Sequence, residues 1–467
     1  MKIKPEYIII SFLLICLWQT NMAQDVQLWL TNTDKTVLFQ QQQESLAFSK
    51  STDLENTPLI SVEDNRTFQI IDGFGFALTG GSAMLIQQMS PVARHALLEE
   101  LFTDNGNNIG TSYLRISIGS SDLNDHAFSY DDVSTGQTDP QLKKFSFGPD
   151  KYDVIPILKE ILSINPKIKI LGSPWSAPAW MKTNHDTHGG SLKPKDYSVY
   201  AKYLVHYILA MQKEGIHIEA ITIQNEPFNF GNNPSMLMYS PQQDLFVKRY
   251  LGPAFQAAKL STKIIIYDHN ADRPDYPISI LNDSEARKYI DGSAFHLYGG
   301  SIQALSDVHN AFPEKNLYFT EQWVGAPGDF SKDIPEHINK LIIEATRNWC
   351  KNVIEWNLAS DTQYTPHTDR GGCNICLGAI TIQRDSVTRN PAYYIIAHAA
   401  KFVRPGSIRI ASNRVLELND VAFKRPDGKI VLIVINNGKK EQTFDVWYHD
   451  RIFQSSLNAG SVATYIW

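Results

Sequence analysis

The chain has 467 residues, and a β/α barrel of about 250 residues or more with a smaller module attached would account for them. Hydrophobic residues make up 43% and charged residues 20%, which excludes a wholly disordered chain. The net charge of −6 argues against a nucleic-acid partner, which usually goes with a basic excess.

In chain order, the first 23 residues read as an export signal. Lys2 and Lys4 give a basic start, residues 8–18 an apolar run broken only by Ser11, and Ala23 a small residue before Gln24. The run is too short to span a bilayer, and no later segment approaches the ~20 apolar residues of a membrane span. A lipid anchor at Cys16 is the rival reading, weakened by Ile15 before it. Removing residues 1–23 takes away Lys2, Lys4 and Glu6, and leaves Cys350, Cys373 and Cys376. An odd number of cysteines cannot pair fully within one chain, so this is no disulfide scaffold. Cys373 and Cys376 could bridge locally or hold a metal, while Cys350 reads as a buried thiol.

Residues 24–66 are polar and β-leaning. From there to residue 403, short β-rich runs alternate with amphipathic helical stretches eight times. The predicted strands are 69–75, 113–118, 168–173, 220–225, 263–268, 293–298, 317–321 and 353–357. Predicted helices include 91–102, 155–164, 197–214, 335–348 and a closing one at 392–402. Eight β/α units in series predict a TIM barrel. From residue 404 six short strands follow, at 408–410, 416–418, 421–424, 430–435, 443–447 and 462–467, with turns at Asp427-Gly428 and Asn436-Asn437-Gly438. They predict a small antiparallel β-sandwich, completed by strands from 24–66 that would cover its open edges. The expected domains are therefore 1–23 signal, 24–66 N-terminal strands of the β-domain, 67–403 barrel and 404–467 C-terminal β-domain.

Barrel enzymes carry their chemistry at the carboxyl ends of the strands. Here those ends hold Arg115 with Asp122 beyond it, Trp175, Asn225-Glu226-Pro227, Asp268-His269-Asn270, His296-Leu297-Tyr298, Thr320-Glu321-Gln322-Trp323 and Trp356-Asn357. Glu226 and Glu321 thus face one mouth from strands four and seven. Two carboxyls across a cleft suit glycosidic bond cleavage, one protonating the leaving oxygen and the other attacking the anomeric carbon or activating water. Trp175, Trp356 and Tyr298 are expected to form a platform for a sugar ring, and Asn225 and Asp122 to hold its hydroxyls. Arg115 is expected to keep a glutamate ionised, and His296 to donate a hydrogen bond to substrate or glutamate. Trp180 reads equally well as core. His185 and His188, among Asn184, Asp186, Gly189 and Gly190, read as loop histidines rather than metal ligands.

With these residues in view the chain resembles glycoside hydrolase family 30, the glucosylceramidase-like retaining β-glycosidases. The resemblance runs through Ile71-Asp72-Gly73-Phe74-Gly75, Leu114-Arg115-Ile116-Ser117, Ser173-Pro174-Trp175-Ser176-Ala177-Pro178, Ile223-Gln224-Asn225-Glu226-Pro227, Thr320-Glu321, Trp356-Asn357-Leu358-Ala359 and Thr464-Tyr465-Ile466-Trp467. It implies Glu226 as acid/base, Glu321 as nucleophile, retention of configuration, and subsite contacts from Asp122, Trp175, Asn225, Tyr298 and Trp356. Within the family, Gly189-Gly190-Ser191-Leu192-Lys193, Gly231-Asn232-Asn233-Pro234-Ser235-Met236 and Gly371-Gly372-Cys373 look most like the β-1,6-glucanase branch. Phe76 stands where relatives often have a second Gly, and Leu297 where ceramide-cleaving relatives have Trp.

The expectation is an exported, monomeric hydrolase of β-glucosidic linkages, an endo-β-1,6-glucanase first, with a glucosylceramidase or β-glucosidase as alternative and a β-xylosidase further off. A non-catalytic glycan-binding barrel is the rival from another class, disfavoured because a binder has no need of two carboxyls. No metal or organic cofactor is expected, because proton transfer and nucleophilic attack need only carboxyls.

Overall fold

The computed structural model describes residues 25–50 and 57–467, so the predicted signal at 1–23 lies outside the described residues. Eight parallel strands close into a barrel: β1 Gly73–Leu78, β2 Tyr113–Ser117, β3 Lys169–Ser173, β4 Ala220–Thr222, β5 Lys263–Ala271, β6 Ile290–Gly300, β7 Asn316–Glu321 and β8 Cys350–Glu355. Closure is made by β8 against β1, with Asn352 opposite Gly73 and Glu355 opposite Phe76. Helices such as Pro91–Phe102, Val154–Ile164 and Tyr197–Lys213 cover the outside. Each buries an apolar stripe on the barrel; Val154, Ile155, Ile157, Leu158 and Ile161 do so in the second. A small interior cluster of Tyr113, Leu171, Ala220, Ile265, Ala294, Tyr318 and Ile354 fills the barrel itself.

The second unit is a sandwich whose strands pair in one continuous path. Asp25–Thr31 lies beside the C-terminal Val462–Ile466, then come Ile430–Asn436, Leu418–Lys424, Ile408–Ser412, Leu59–Ile70, Gln442–Tyr448 and Arg451–Leu457. The N-terminal segment therefore does close the edge of the C-terminal strands. Strand Ile430–Asn436 is apolar at almost every position because it is buried on both faces. Ile430, Leu432 and Val434 face the sandwich core, while Val431, Ile433 and Ile435 join the barrel's core.

Several boundaries differ from expectation. The predicted strand 69–75 straddles two real ones: Leu59–Ile70 belongs to the sandwich and Gly73–Leu78 to the barrel. The break falls at Ile71-Asp72, where Asp72 is tied to Lys169 at 2.5 Å and Lys351 at 3.6 Å, so the passage from sandwich to barrel comes after residue 70 rather than at 66/67. The predicted strands 416–418 and 421–424 are one strand, Leu418–Lys424. The predicted helix 335–348 starts earlier, at Phe330, and continues from Ile338 to Ala345 as a wider π-helical segment. Arg451–Leu457 is a strand beyond those expected; only Phe453, Ser455 and Leu457 face inward, and one of these three is polar.

Candidate active site

Glu226 and Glu321 are brought to one mouth by backbone bonds that leave little freedom. β4 is only three residues long, and the chain beyond it is stitched to its neighbours: Asn225 N–H donates to Pro174 O at 2.8 Å and Glu226 N–H to Asp268 O at 2.9 Å. Gln224 Nε2 donates to Trp175 O at 2.7 Å. Held this way, Glu226 sits at φ +44°, a left-handed conformation uncommon for its residue type and typical of positions where surrounding bonds fix the backbone. Glu321 is the last residue of β7, opposite His296 of β6.

Behind the two glutamates lies a buried ionic lattice centred on Arg115, which has no exposed surface. Arg115 donates to Glu321 Oε2 at 2.5 Å, Asn225 Oδ1 at 2.7 Å, Asp268 Oδ2 at 2.9 Å and Ser173 Oγ at 3.2 Å. A bulge in β5 makes Asp268 the extra residue between Tyr267 and His269 and turns it inward. Asp268 accepts further bonds from Thr222 at 2.7 Å and Thr320 at 2.6 Å. Burial alone would raise its carboxyl, but Arg115, His296 and Thr320 together hold it well below the usual carboxylate range. An unpaired buried charge here would be costly, and each one has partners.

His296 connects the lattice to both glutamates. Its Nε2 is 3.2 Å from Asp268 Oδ1, and its Nδ1 is 3.1 Å from Glu226 Oε1 and 3.6 Å from Glu321 Oε1. With carboxylates at both ring nitrogens, both carry hydrogen and the ring is an imidazolium. Burial opposes that charge, but Glu321, Asp268 and Glu226 outweigh it and raise the His296 pKa to about 9. Burial likewise raises Glu226, yet the nearby His269 and His296 rings outweigh it and lower the group. Glu321 is raised by burial and by the Glu226 charge, against the pull of His296 and Arg115. Asn229 Nδ2 donates to Glu226 Oε2 at 2.5 Å and Tyr298 Oη to Glu321 Oε1 at 3.0 Å. One ring nitrogen bridges both carboxyls, so their facing oxygens stand no farther apart than its two distances combined. For these facing oxygens the bound reaches only the lower end of the ~6.5–9.5 Å range of inverting glycosidases.

The glutamates open into a cavity of about 520 Å³, also lined by Asp122, Phe228, Tyr298, Trp323 and Trp356. Burial and the charges of Glu321 and Glu226 push Asp122 up to about 7. The arrangement offers a proton donor or acceptor, a second carboxylate fixed by a guanidinium, and an indole face, all at one hollow. It can hold a sugar ring and attack its anomeric carbon.

Residues 71–403 match the glycosyl hydrolase family 30 TIM-barrel domain and residues 406–465 the family 30 beta sandwich domain. The chain belongs to glycosyl hydrolase family 30. It is a glycoside hydrolase by that membership. It is 35% identical over 409 residues to an endo-1,6-beta-D-glucanase of Aspergillus fumigatus, covering 82% of each chain. It is 30% identical over 439 residues to the lysosomal acid glucosylceramidase of Mus musculus, covering 88% of this chain and 83% of the other. Among solved structures it is similar to an endo-beta1,6-glucanase with a TM-score of 0.87 at 37% identity, covering 95% of this chain and 99% of that one.

Within this family 30 barrel the predicted site residues divide into two groups. Glu226, Glu321, Asp122, Tyr298 and Trp356 line the cavity. Trp175, Asn225 and His296 do not; they stand behind its wall. Trp175 is 2% exposed and packs on Trp356 with ring centres 5.3 Å apart, so it backs the platform rather than forming it. Asn225 and Arg115 belong to the lattice. Trp180 is buried and its Nε1 donates to Asp131, away from the glutamates. His185 is exposed and His188 half-buried in the loop after β3. The histidines that do gather with a glutamate are His269 and His296 around Glu226, their ligand atoms within 4.8 Å of one another. Cys373 and Cys376 are bridged and line the cavity, and Cys350 is buried and free. Phe76 is buried in β1, and Leu297 is half-buried and packs against the core outside the cavity. Sequence reasoning assigned no role to Asp268, Asn229, Phe228 or Trp323. Asp268 and Trp323 carried a legible signal, each standing in a polar or aromatic cluster that ends a barrel strand.

Proposed function

We propose that the protein is an exported retaining endo-β-1,6-glucanase in which Glu321 is the nucleophile and Glu226 the acid/base. The observation that carries the catalytic assignment is the single imidazole nitrogen between the two carboxyls, which supports a separation suited to direct attack rather than to an intervening water. Glu321, fixed by Arg115 and Tyr298, attacks the anomeric carbon and forms a glycosyl ester as the bond to the leaving oxygen breaks. That oxygen takes a proton from Glu226. At rest the proton sits on His296. Substrate entry displaces water and raises Glu226, and the proton crosses the Nδ1–Oε1 hydrogen bond to it. Formation of the ester removes the charge on Glu321. Glu226, now the base, takes a proton from water, whose oxygen attacks the same carbon and releases Glu321 with configuration retained.

The β-1,6 preference is supported by the similarity to curated endo-1,6-beta-D-glucanases and to a solved endo-beta1,6-glucanase. Export is supported by the sequence of residues 1–23; among the described residues no helix is long and apolar enough to cross a membrane. Product analysis on linear β-1,6-, β-1,3- and β-1,4-glucans tests the reading. Short oligosaccharides of mixed length from the β-1,6-glucan alone are expected. Glucose as the sole early product, or turnover of a glucosyl lipid without turnover of the polymer, would replace it with the glucosidase reading.

A further inference from the structure

Three loops meet on one side of the cavity: 183–191 after β3, 229–237 after β4 and 368–373 after β8. Asn233 is their hub. Its side chain accepts from Thr187 Oγ1 at 2.8 Å and donates to Asp369 O at 3.0 Å, and its carbonyl accepts from Thr368 Oγ1. Lys182 Nζ, buried beneath, donates to Thr187 O at 2.8 Å and Ser235 O at 2.7 Å. On the outside, Arg370 grips the Asp186 carboxylate with two bonds of 3.0 and 3.1 Å. The packing is tight enough that a Cβ on Gly371 would lie 2.1 Å from Gly231 O.

This wall grows directly out of Glu226. Phe228 and Asn229 follow it in the chain and line the cavity, Asn232 lines it too, and Phe230 between them is 61% exposed. A proton delivered by Glu226 goes to the oxygen that departs with the leaving sugar, so the leaving sugar passes this wall. In a β-1,6 linkage that oxygen is primary and is separated from the leaving ring by an extra carbon. The ring is therefore set back from the carboxyl, along the stretch of chain that carries Phe230 between Asn229 and Asn232.

We propose that Phe230 and Asn232 form the subsite for the departing glucose of the glucan, with Asn233 and Gly371 as positioning residues, and that linkage preference resides in this wall; the inference rests on the β-1,6 reading. Phe230 offers a face for the ring, and Asn232 an amide for its hydroxyls. The test compares kcat/KM on a β-1,6-gluco-oligosaccharide with kcat/KM on β-gentiobiosyl fluoride, whose leaving group is a single atom. Phe230→Ala and Asn232→Ala are expected to lose about tenfold or more on the oligosaccharide beyond any loss on the fluoride. Gly371→Ala is expected to show the same bias, mainly through KM. Phe230 is exposed, so its removal keeps the test valid even if Gly371→Ala fails to fold. Equal losses on the two substrates, or no loss on the oligosaccharide, overturn the proposal. If the wild type leaves β-1,6-oligosaccharides intact and cuts another β-glucan, the β-1,6 reading fails by itself. The ratio measured on that glucan against the fluoride of its own disaccharide then supports or overturns the subsite.

Discussion

His296 touches Glu226, Glu321 and Asp268 at once, and so decides where the proton of the site resides. The groups facing its ring are these three carboxyls, with His269 and Tyr298 at its edges. Because its pKa is raised to about 9, the protonated form persists below that pH and is lost above it. The alkaline limb of kcat/KM is therefore expected near pH 9, with activity falling as pH rises through it. In His296→Gln the limb would report Glu226 without its imidazolium. Burial then raises Glu226 against the His269 ring alone, and the limb is expected to move to lower pH by about one unit or more. A limb unmoved in the variant would detach the proton from this histidine. Much of this was legible in the residues at the strand ends: both glutamates, Arg115 and His296 were singled out with roles close to those their contacts support. What could not be read was depth. Whether an indole forms a floor or backs one depends on side-chain layering, and Trp175 and Trp356 look alike in sequence although only one lines the cavity.

Among elements, strand Ile430–Asn436 shows why a run of apolar residues can mark a strand without saying where it sits. Its period of two is hidden because both faces are buried, one in each unit. Ile433→Ala removes packing against the barrel and is expected to cost about 2–5 kcal/mol in chemical denaturation, like a deletion within a single core. A cost near that of a surface substitution would mean that the two units merely touch. Other elements were obscured for different physical reasons. Leu59–Ile70 and Gly73–Leu78 are separated by only two residues, and β-patterning carries no label for the sheet that a strand joins. Arg451–Leu457 hides its inward face because Ser455, one of three inward residues, is polar and meets Tyr465 Oη at 2.8 Å. Glu226's left-handed backbone is set by Asp268 O, on a strand some forty residues later in the chain.

Across the whole molecule, the closing helix Pro391–Ala400 is the place where barrel and sandwich are fastened. His398 lies wholly buried, with Nε2 2.8 Å from Thr31 Oγ1 and Nδ1 2.9 Å from Thr464 Oγ1, so it joins both termini to the barrel. Burial lowers its pKa to about 3, against an ordinary value of 6.5. Between those values the unfolded chain binds a proton that the folded chain refuses. Stability from this group is full above about pH 6.5 and falls as pH drops toward 3, by up to about 1.4 kcal/mol per pH unit. His398→Gln, which cannot titrate, is expected to flatten the acid side of the stability–pH curve by up to that slope, measured by urea denaturation from pH 7 to pH 4. Parallel curves for the two proteins would show that His398 is not held neutral.

The central claim, that Glu321 forms a glycosyl ester while Glu226 manages the proton, is tested most directly by trapping that ester. An activated 2-deoxy-2-fluoro-β-gentiobioside slows both steps, so the intermediate accumulates and can be read by mass spectrometry of the intact protein and its peptides. The account predicts one added fluorodisaccharide per chain, carried on Glu321, and none on the Glu321→Gln variant. A label on Glu226 or Asp122 instead, or an inverted product from the natural substrate, would contradict it.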